Sequence, residues 1–296
     1  MLLYKYLRPY NKLNGDDVIV EDLFGQLLIR FTQPKKLFFN DPFDFRPEIR
    51  GYENPNYVNH ELVKAKASLQ KKGVINTDHL PLEEKILYEG RMSDLRKKHT
   101  QNITSEADKW ENEHLDSLFQ KMGKEIGVLC LCEQPDNIRM WSHYAEKHSG
   151  FVVGFDAESD FFTKRQAHEP EEIGQLRKVT YLKNRPIVQL PYDDDSPYVD
   201  YLFTKYHKWC DEKERRIFRF LSEAAKSKGD ICLFSVPPKT IREIIFGSLA
   251  AETKEPSIEP TWEIIKSNPD LNHVKRKRAR LARNGYGIEI VDFPAP

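Results

Sequence analysis

The stretch EKERRIFRFL, Glu212–Leu221, followed by ICLFSV, Ile231–Val236, decides the fold class. Both runs are short and rich in aromatic or β-branched residues. Lys228-Gly229-Asp230 near the second run is a turn signal, so the pair reads as a β-hairpin. Working outward, further short strands are predicted at residues 2–7, Val128–Cys132, Phe151–Phe155, Val179–Tyr181, Ile187–Leu190, Ile241–Phe246 and Tyr286–Phe293. Val128–Cys132 is apolar on both faces and fits a buried strand, whereas Tyr286–Phe293 alternates. Before it, Asn284-Gly285 is either a hairpin turn after a basic strand or the C-cap of a basic helix, with the hairpin preferred. Helical readings fall on Val18–Ile29 (a helix or a helix–strand unit), on Met140–Ala145 capped by Asp136 or Asn137, on Pro197–Trp209 and on Trp262–Lys266. Hairpins outnumber regular strand–helix–strand alternation. The expected class is therefore α+β, with mixed, mainly antiparallel sheets.

Residues 58–122 differ from their surroundings: polar, rich in Lys and Glu, with apolar residues at helical spacing. Val58, Leu62, Ala65 and Leu69 form one amphipathic stripe, and Trp110, Leu115, Leu118 and Met122 another. Ser105 and Asp108 offer a capping box. This stretch reads as a helical insert in a single domain spanning 1–296, with no internal repeat or linker.

Lys+Arg and Asp+Glu balance at 46 each, which argues against a protein that coats nucleic acid or membrane with its whole surface. A local basic patch stays open, and Lys275-Arg276-Lys277-Arg278-Ala279-Arg280 is one: either a solvated edge strand or helix face, or a phosphate contact. The N-terminal MLLYKYLRPY breaks its apolar run with charge and is not expected to be a signal peptide. No run is long and apolar enough for a membrane helix, so a cytoplasmic location and no membrane partner are expected. Cys130 and Cys132 form a CxC pair that shares a face if it lies on a strand. With Cys210 and Cys232 they read as buried thiols of a reducing compartment, since no zinc spacing surrounds them and no metal is expected.

Three polar–aromatic clusters are candidates for chemistry. In Phe39-Asn40-Asp41-Pro42-Phe43-Asp44 the residues before proline make a turn that bonds its own backbone, or else turn Asn40, Asp41 or Asp44 toward a ligand. In Arg139-Met140-Trp141-Ser142-His143-Tyr144 a helix would bury Trp141 and offer His143 elsewhere, to a cleft, where it would be a catalytic candidate, or to solvent. In Trp209-Cys210-Asp211-Glu212-Lys213-Glu214-Arg215-Arg216 a strand would project Glu212, Glu214 and Arg216 on one face, with Lys205 able to join them. Two close carboxylates beside an arginine either form a static ion-pair ladder or leave one carboxylate poised to polarise a hydroxyl or stabilise a cation.

The order of these motifs, from Leu3-Tyr4-Lys5-Tyr6 through Asn40–Asp44, Met140–Tyr144, Gly150-Phe151 and Gly154-Phe155-Asp156 to Lys205, Trp209, Glu212, Glu214, Arg216 and Ile244-Ile245-Phe246-Gly247, resembles the uncharacterised bacterial family known as domain of unknown function 2971. That resemblance implies no reaction. In layout the chain is also similar to ADP-ribosyltransferases of the DNA-modifying toxin type. This second resemblance implies an ADP-ribosyltransferase-like fold, NAD as substrate, and a nucleic-acid or protein acceptor in a defence or toxin system. Tyr4, Lys5 or Arg8 would hold the dinucleotide, Trp141 or Tyr144 would flank nicotinamide, and Glu214, or else Glu212, would be the catalytic carboxylate. Asn40, Asp41, Asp44, Lys205, Trp209 and Arg216 would complete the site. Two other readings stand beside it. One is an Mg²⁺-dependent nuclease using Asp41 or Asp44 with Asp211 or Glu212 and Lys213. The other is a ligand- or partner-binding module without catalysis.

Overall fold

A computed structural model of the protein describes residues 1–8, 18–34, 39–50, 120–164, 174–189, 200–250 and 258–293, together with Glu113 and Ser117. The strands are β1 (Leu2–Leu7), β2 (Leu28–Phe31), β3 (Glu48–Arg50), β4 (Ile126–Cys132), β5 (Phe151–Asp156), β6 (Arg177–Lys178), β7 (Thr180–Leu182), β8 (Ile187–Gln189), β9 (Thr204–Tyr206), β10 (Glu214–Phe220), β11 (Lys226–Lys228), β12 (Ile231–Ser235), β13 (Ile241–Phe246), β14 (Lys275–Leu281) and β15 (Ile288–Asp292). Eight of them form one sheet in the order β15-β14-β13-β5-β1-β4-β10-β6. Smaller sheets join β11-β12-β2, β3-β8 and β7-β9. The ladders of the large sheet are antiparallel except β13–β14, and the remaining parallel pairs are β3–β8 and β7–β9. The fold is α+β with mixed, mainly antiparallel sheets.

By contact the chain divides into two units, Met1–Phe45 with Lys121–Asn184 and Val199–Pro296, and Arg46–Gln120 with Arg185–Tyr198. The large sheet and every residue of the site below belong to the first. The second contains β3 and β8. The stripes and capping box expected over 58–122 lie outside the described residues, save Met122, which is buried in the first unit.

Both faces of the large sheet are covered, which is why its central strands are apolar throughout. Leu3, Leu129, Leu131, Val153, Phe155, Ile217 and Ile244 share one cluster with Phe24, Phe31 and Phe234. Tyr6, Cys132, Val152 and Ile245 pack on the other side with Trp141 and Ala145. Each large apolar side chain withdrawn from water this way stabilises the fold by about 1.5–3 kcal/mol. Trp141 is fully buried; its Nε1 donates to the Pro135 carbonyl at 2.8 Å and its ring meets Tyr6 edge-on at 5.4 Å. Asn137 supplies the cap of the Ile138–Tyr144 helix, its side chain accepting from the Met140 N–H.

Several expectations need correction. Glu212–Leu221 and Ile231–Val236 do not pair with each other: β10 lies between β4 and β6, and the Gly229 turn joins β12 to the short β11 instead. The turn chemistry was read rightly, but the partner is the nearer strand, which needs less loop closure. The strands expected at Val179–Tyr181 and Ile187–Leu190 are present as β7 and β8, β7 pairing with β9 and β8 with β3. Pro197–Trp209 is no helix in its described part. A 3₁₀ turn (Asp200–Phe203) leads into β9 and then a second 3₁₀ turn (His207–Glu212). Its apolar residues Tyr201, Leu202 and Phe203 are consecutive and all buried, so no helical stripe exists to favour an α-helix. The basic stretch 275–280 is an interior strand, β14, not an edge, and Asn284-Gly285 turns it into β15 with Gly285 at φ +79°.

Candidate functional site

The centre of the site is Arg216, at 0% exposure. β10 alternates strictly, so Glu214 and Arg216 project together on the face they share with Cys132 and Cys130 of β4, their register partners. A buried guanidinium is tolerated only when its donors are satisfied, since burying an ion costs several kcal/mol. Here Nε donates to Glu214 Oε1 at 2.7 Å, Nη2 to Glu214 Oε2 at 3.1 Å and to Asp44 Oδ1 at 2.7 Å, and Nη1 to the Leu202 carbonyl at 2.8 Å. The guanidinium also lies 4.6 Å from the ring centre of Phe45, itself buried. Asp44 arrives from the Asn40–Phe45 turn, whose geometry is local: Asp41 Oδ1 accepts from the Phe43 N–H, and the Asp41 carbonyl from the Asp44 N–H.

Lys205 is the second buried cation. Its Nζ donates to Glu212 Oε2 at 2.6 Å and Glu214 Oε2 at 3.1 Å, stands 3.5 Å from Asp44 Oδ2, and lies 5.4 Å from the Trp209 ring centre. Glu212 comes to the cluster by a route a strand would not offer. It ends the His207–Glu212 turn, and Lys213 then takes a left-handed conformation at φ 43° before β10 begins. The expectation that Glu212, Glu214 and Arg216 share one strand face is therefore corrected: Glu212 meets the other two from the preceding turn. The Ile138–Tyr144 helix is tied to that turn three times, by Asn137 to the Asp211 carbonyl, by Arg139 to Asp211 at 2.6 Å, and by the Tyr144 hydroxyl donating to Glu212 Oε1 at 2.8 Å.

Burial and charge act differently on the carboxylates. For Glu214, burial pushes the pKa up, but the charges of Arg216 and Lys205 and the hydrogen bonds of Arg216 outweigh it and hold the group well below the usual carboxylate range. For Glu212, burial comes first and the charge of Glu214 adds to it; Lys205 and Tyr144 offset only part, and the pKa is raised. Asp44 is raised by burial, against the opposing charges of Arg216 and Lys205. Lys205 stays protonated because the charges of Glu214, Asp44 and Glu212 override burial. Three carboxylates face two cations.

The cluster has a closed end and an end nearer water. Around Arg216 and Asp44 the neighbours Phe45, Leu202 and Phe203 are buried. Around Glu212 and Lys205 the neighbours Tyr144, Trp209 and Tyr181 are only half-buried, and the exposed His143 lies 6.4 Å from Trp209 between ring centres. The structure thus brings together Asp44, Lys205, Glu212, Glu214, Arg216, Tyr144 and Trp209, with His143 at the margin.

Other sequence candidates sit elsewhere. Trp141 is a buried packing residue with no face left for a ligand. Asn40 is exposed and, among the described residues, makes no hydrogen bond to the cluster. Asp41 is buried beside it, with Oδ2 unpartnered. Arg8 is exposed, with its charge felt by Arg30. Lys5 donates from Nζ to the Cys130 carbonyl at 3.0 Å, where β1 and β4 have only the single register pair Tyr4↔Cys132. Tyr4 lies in a lateral row Glu243–Gly154–Tyr4–Cys132–Glu214 across five strands. A Cβ on Gly154 would come within 2.7 Å of Glu243 Cγ and 3.2 Å of Tyr4, so glycine is needed for those side chains to cross. Burial, then the charge of Glu243 and its hydrogen bond, push the Tyr4 hydroxyl up to about 12.

Sequence reading missed Tyr181, whose hydroxyl accepts from the Glu214 N–H at 2.8 Å, and Cys130, whose thiol bonds Glu214 and is raised by burial. The CxC spacing was a signal for the latter, since it puts both thiols on the face that carries Arg216. The cysteines are all free, but Cys210 is exposed and Cys130 half-buried, so the expectation of four buried thiols holds only for Cys132 and Cys232. Of the residues named for a nuclease, Asp44 and Glu212 both meet Lys205, whereas Asp211 pairs with Arg139 and Lys213 is exposed; among the described residues no group of three His, Cys, Asp or Glu is placed to hold a metal ion.

The class defined by this architecture is an α+β protein built over a buried ionic cluster. Residues 140–217, which carry most of that cluster, match the family model described as Protein of unknown function (DUF2971). No curated protein and no solved structure matches the chain. No helix among the described residues is long and apolar enough to cross a membrane.

Proposed function

We propose that the Glu212 end of the cluster binds NAD⁺ and that the protein cleaves the nicotinamide–ribose bond in the manner of an ADP-ribosyltransferase. The observation that carries this reading is Glu212 itself: a carboxylate with a raised pKa, held on one oxygen by Lys205, which lies against the Trp209 ring, and on the other by Tyr144, both rings being half-buried. Electron-rich rings suit the cationic nicotinamide. When the glycosidic bond breaks, nicotinamide leaves with the bonding pair and the ribose gains oxocarbenium character, which a nearby carboxylate opposes. The acceptor, water or a nucleophile on nucleic acid or protein, then bonds to that carbon and gives up a proton. In this scheme Glu214, which carries Arg216 as well as Lys205 and lies toward the closed end of the cluster, positions Lys205.

A binding module without catalysis is the second reading. It is favoured by one observation: both oxygens of Glu212 already accept hydrogen bonds inside the protein. The two readings separate in one experiment. Purified protein and Glu212→Gln are incubated with labelled NAD⁺ plus DNA, RNA and extract protein, following nicotinamide release and transferred label. Release or transfer by the wild type, lost in a folded Glu212→Gln, supports the enzyme. Calorimetric binding of NAD⁺ without turnover supports the module. Neither binding nor turnover removes NAD⁺ from both.

A further inference from the structure

The charge of this chain sums to zero, yet residues 275–292 hold six basic residues and two acidic ones. They form the β14–β15 hairpin at the end of the large sheet. Its inner part is occupied by the protein. Arg276 is buried against Phe293, Trp262 and Phe246, with its guanidinium 4.2 Å from the Phe293 ring centre, and Lys277 pairs with the buried Glu243 at 2.8 Å. Its outer part is held more loosely, with the Arg278 guanidinium 5.9 Å from the Phe293 ring centre. Arg278 and Arg280 follow on the face of Arg276, spaced by two residues, about 7 Å. Arg278 is half-buried and reaches the Ser248 carbonyl only at 3.5 Å. Arg280 meets Glu289 at 2.7 Å, but the two side chains are 48% and 43% exposed, so the pair is screened and readily exchanged.

Past Leu281↔Ile288 the Ala282 N–H donates to the Gly287 carbonyl at 3.0 Å and closes a loop of Arg283, Asn284, Gly285 and Tyr286. Gly285 supplies the left-handed residue this loop needs, at φ +79°. The loop presents Tyr286 at 105% exposure, Leu281 at 67% beside it, and the exposed Arg283. A wholly solvated aromatic ring contributes nothing to the core that Leu3 or Phe155 contribute to, and at a cationic tip both its faces are open to a ligand.

We propose that the tip of the β14–β15 hairpin binds single-stranded nucleic acid, Tyr286 stacking on an unpaired base while Arg283, Arg280 and Arg278 meet successive phosphates. Guanidiniums along a strand with a bare ring at its end combine the two interactions that sequence-tolerant single-strand binding uses. Duplex is disfavoured because its bases are stacked within the helix and leave no face for Tyr286. The inference does not rest on the reading of Glu212.

The test is fluorescence anisotropy of labelled single-stranded DNA and RNA, the matched duplex and an oligoglutamate peptide, titrated with the full chain at several salt concentrations. Tyr286→Ala, Arg283→Glu and the charge-matched control Lys239→Glu, at an exposed lysine before β13, are compared after thermal melts establish that each is folded. Single strands are expected to bind, with affinity falling steeply with salt. Tyr286→Ala should weaken binding roughly tenfold. Arg283→Glu should weaken it and make the logarithmic salt slope shallower by at least about 0.7, since one phosphate contact is lost and an anion is added. Lys239→Glu should bind nearly as the wild type does. Absence of single-strand binding at low salt, tighter binding of duplex or oligoglutamate, or wild-type affinity in both tip variants would each overturn the proposal.

Discussion

The buried cluster and the β14–β15 hairpin are both dense in arginine, and they treat it in opposite ways. At Arg216 the protein surrounds a fully buried guanidinium with carboxylates and a carbonyl, four hydrogen bonds in all. At Arg276 it surrounds one with three aromatic rings, and two residues further along β14 it begins to leave arginines to water. Desolvation explains the difference. An ion taken wholly from water needs compensating charge close by, whereas Arg278 and Arg280, where the sheet runs out to solvent, need only their stems covered. Charge in the first region is therefore structural and finely partnered; in the second it is left available.

That contrast is broken most directly at Arg216. Arg216→Met would leave Asp44 and Glu214 buried with Lys205 as their remaining cation. We expect a loss of about 3–5 kcal/mol, the cost of breaking a buried ion pair from one side. Urea denaturation measures it, and a loss below about 1 kcal/mol would mean that the cluster relaxes into water on substitution. Glu214→Gln comes next, at about 3 kcal/mol near neutral pH. Its signature is the pH dependence. Glu214 is held below its unfolded value of about 4.3, so its contribution is present above that pH and lost as pH falls through the folded value. The gap between wild type and Glu214→Gln should accordingly be widest above about pH 5 and close as acid is added.

How much of this was legible in the sequence depends on the range of the interaction. Period-two alternation put Glu214 and Arg216 on one face of β10, and the structure keeps them there. The same alternation assigned Glu212 to that strand, and this was wrong, because Lys213 adopts a left-handed conformation that is rare for a residue with a Cβ and leaves no mark in the sequence. Asp44 could be named as a candidate from its turn, but its pairing with Arg216 spans 172 positions, and no local pattern encodes it. A helix over Pro197–Trp209 would carry Lys205 to the cluster; it reaches it from β9 instead, with Trp209 as its neighbour. Asn284-Gly285 fits either a hairpin turn or a helix C-cap, both of which use a left-handed glycine, and the preferred hairpin is the one formed. That β14 would be interior, with β13 on its other side in parallel, depends on chain segments far apart and could not be read from basic residues alone.

Two smaller effects sharpen the division within the cluster. Tyr144→Phe removes the donor to Glu212 Oε1 and little else, since the ring stays. A loss of about 1.5 kcal/mol is expected, in keeping with a hydrogen bond to a charged acceptor. Thermal or urea unfolding resolves it, and if it is zero the hydroxyl is replaced by solvent, placing Glu212 in freer contact with water than its neighbours.

Glu212→Gln should cost least, within about 1 kcal/mol near neutral pH, although it lies two residues from Glu214 and shares Lys205 with it. The reason is the direction of its shift. Burial, reinforced by the charge of Glu214, raises Glu212 above its unfolded value, so its folded-state contribution is complete below about pH 4.3 and declines as pH rises through the raised value. Replacing it by a neutral isostere removes that decline. The difference between wild type and Glu212→Gln should therefore favour the wild type most in acid and shrink toward neutrality, opposite in sign to the trend at Glu214. Urea midpoints for both variants from pH 4 to pH 7 test this on one set of curves. Parallel trends would mean that the two glutamates titrate as one buried group and that the distinction between a structural and a reactive carboxylate fails. Opposed trends would leave Glu212 as the group whose charge the fold does not need, and so the one available for work on a ligand.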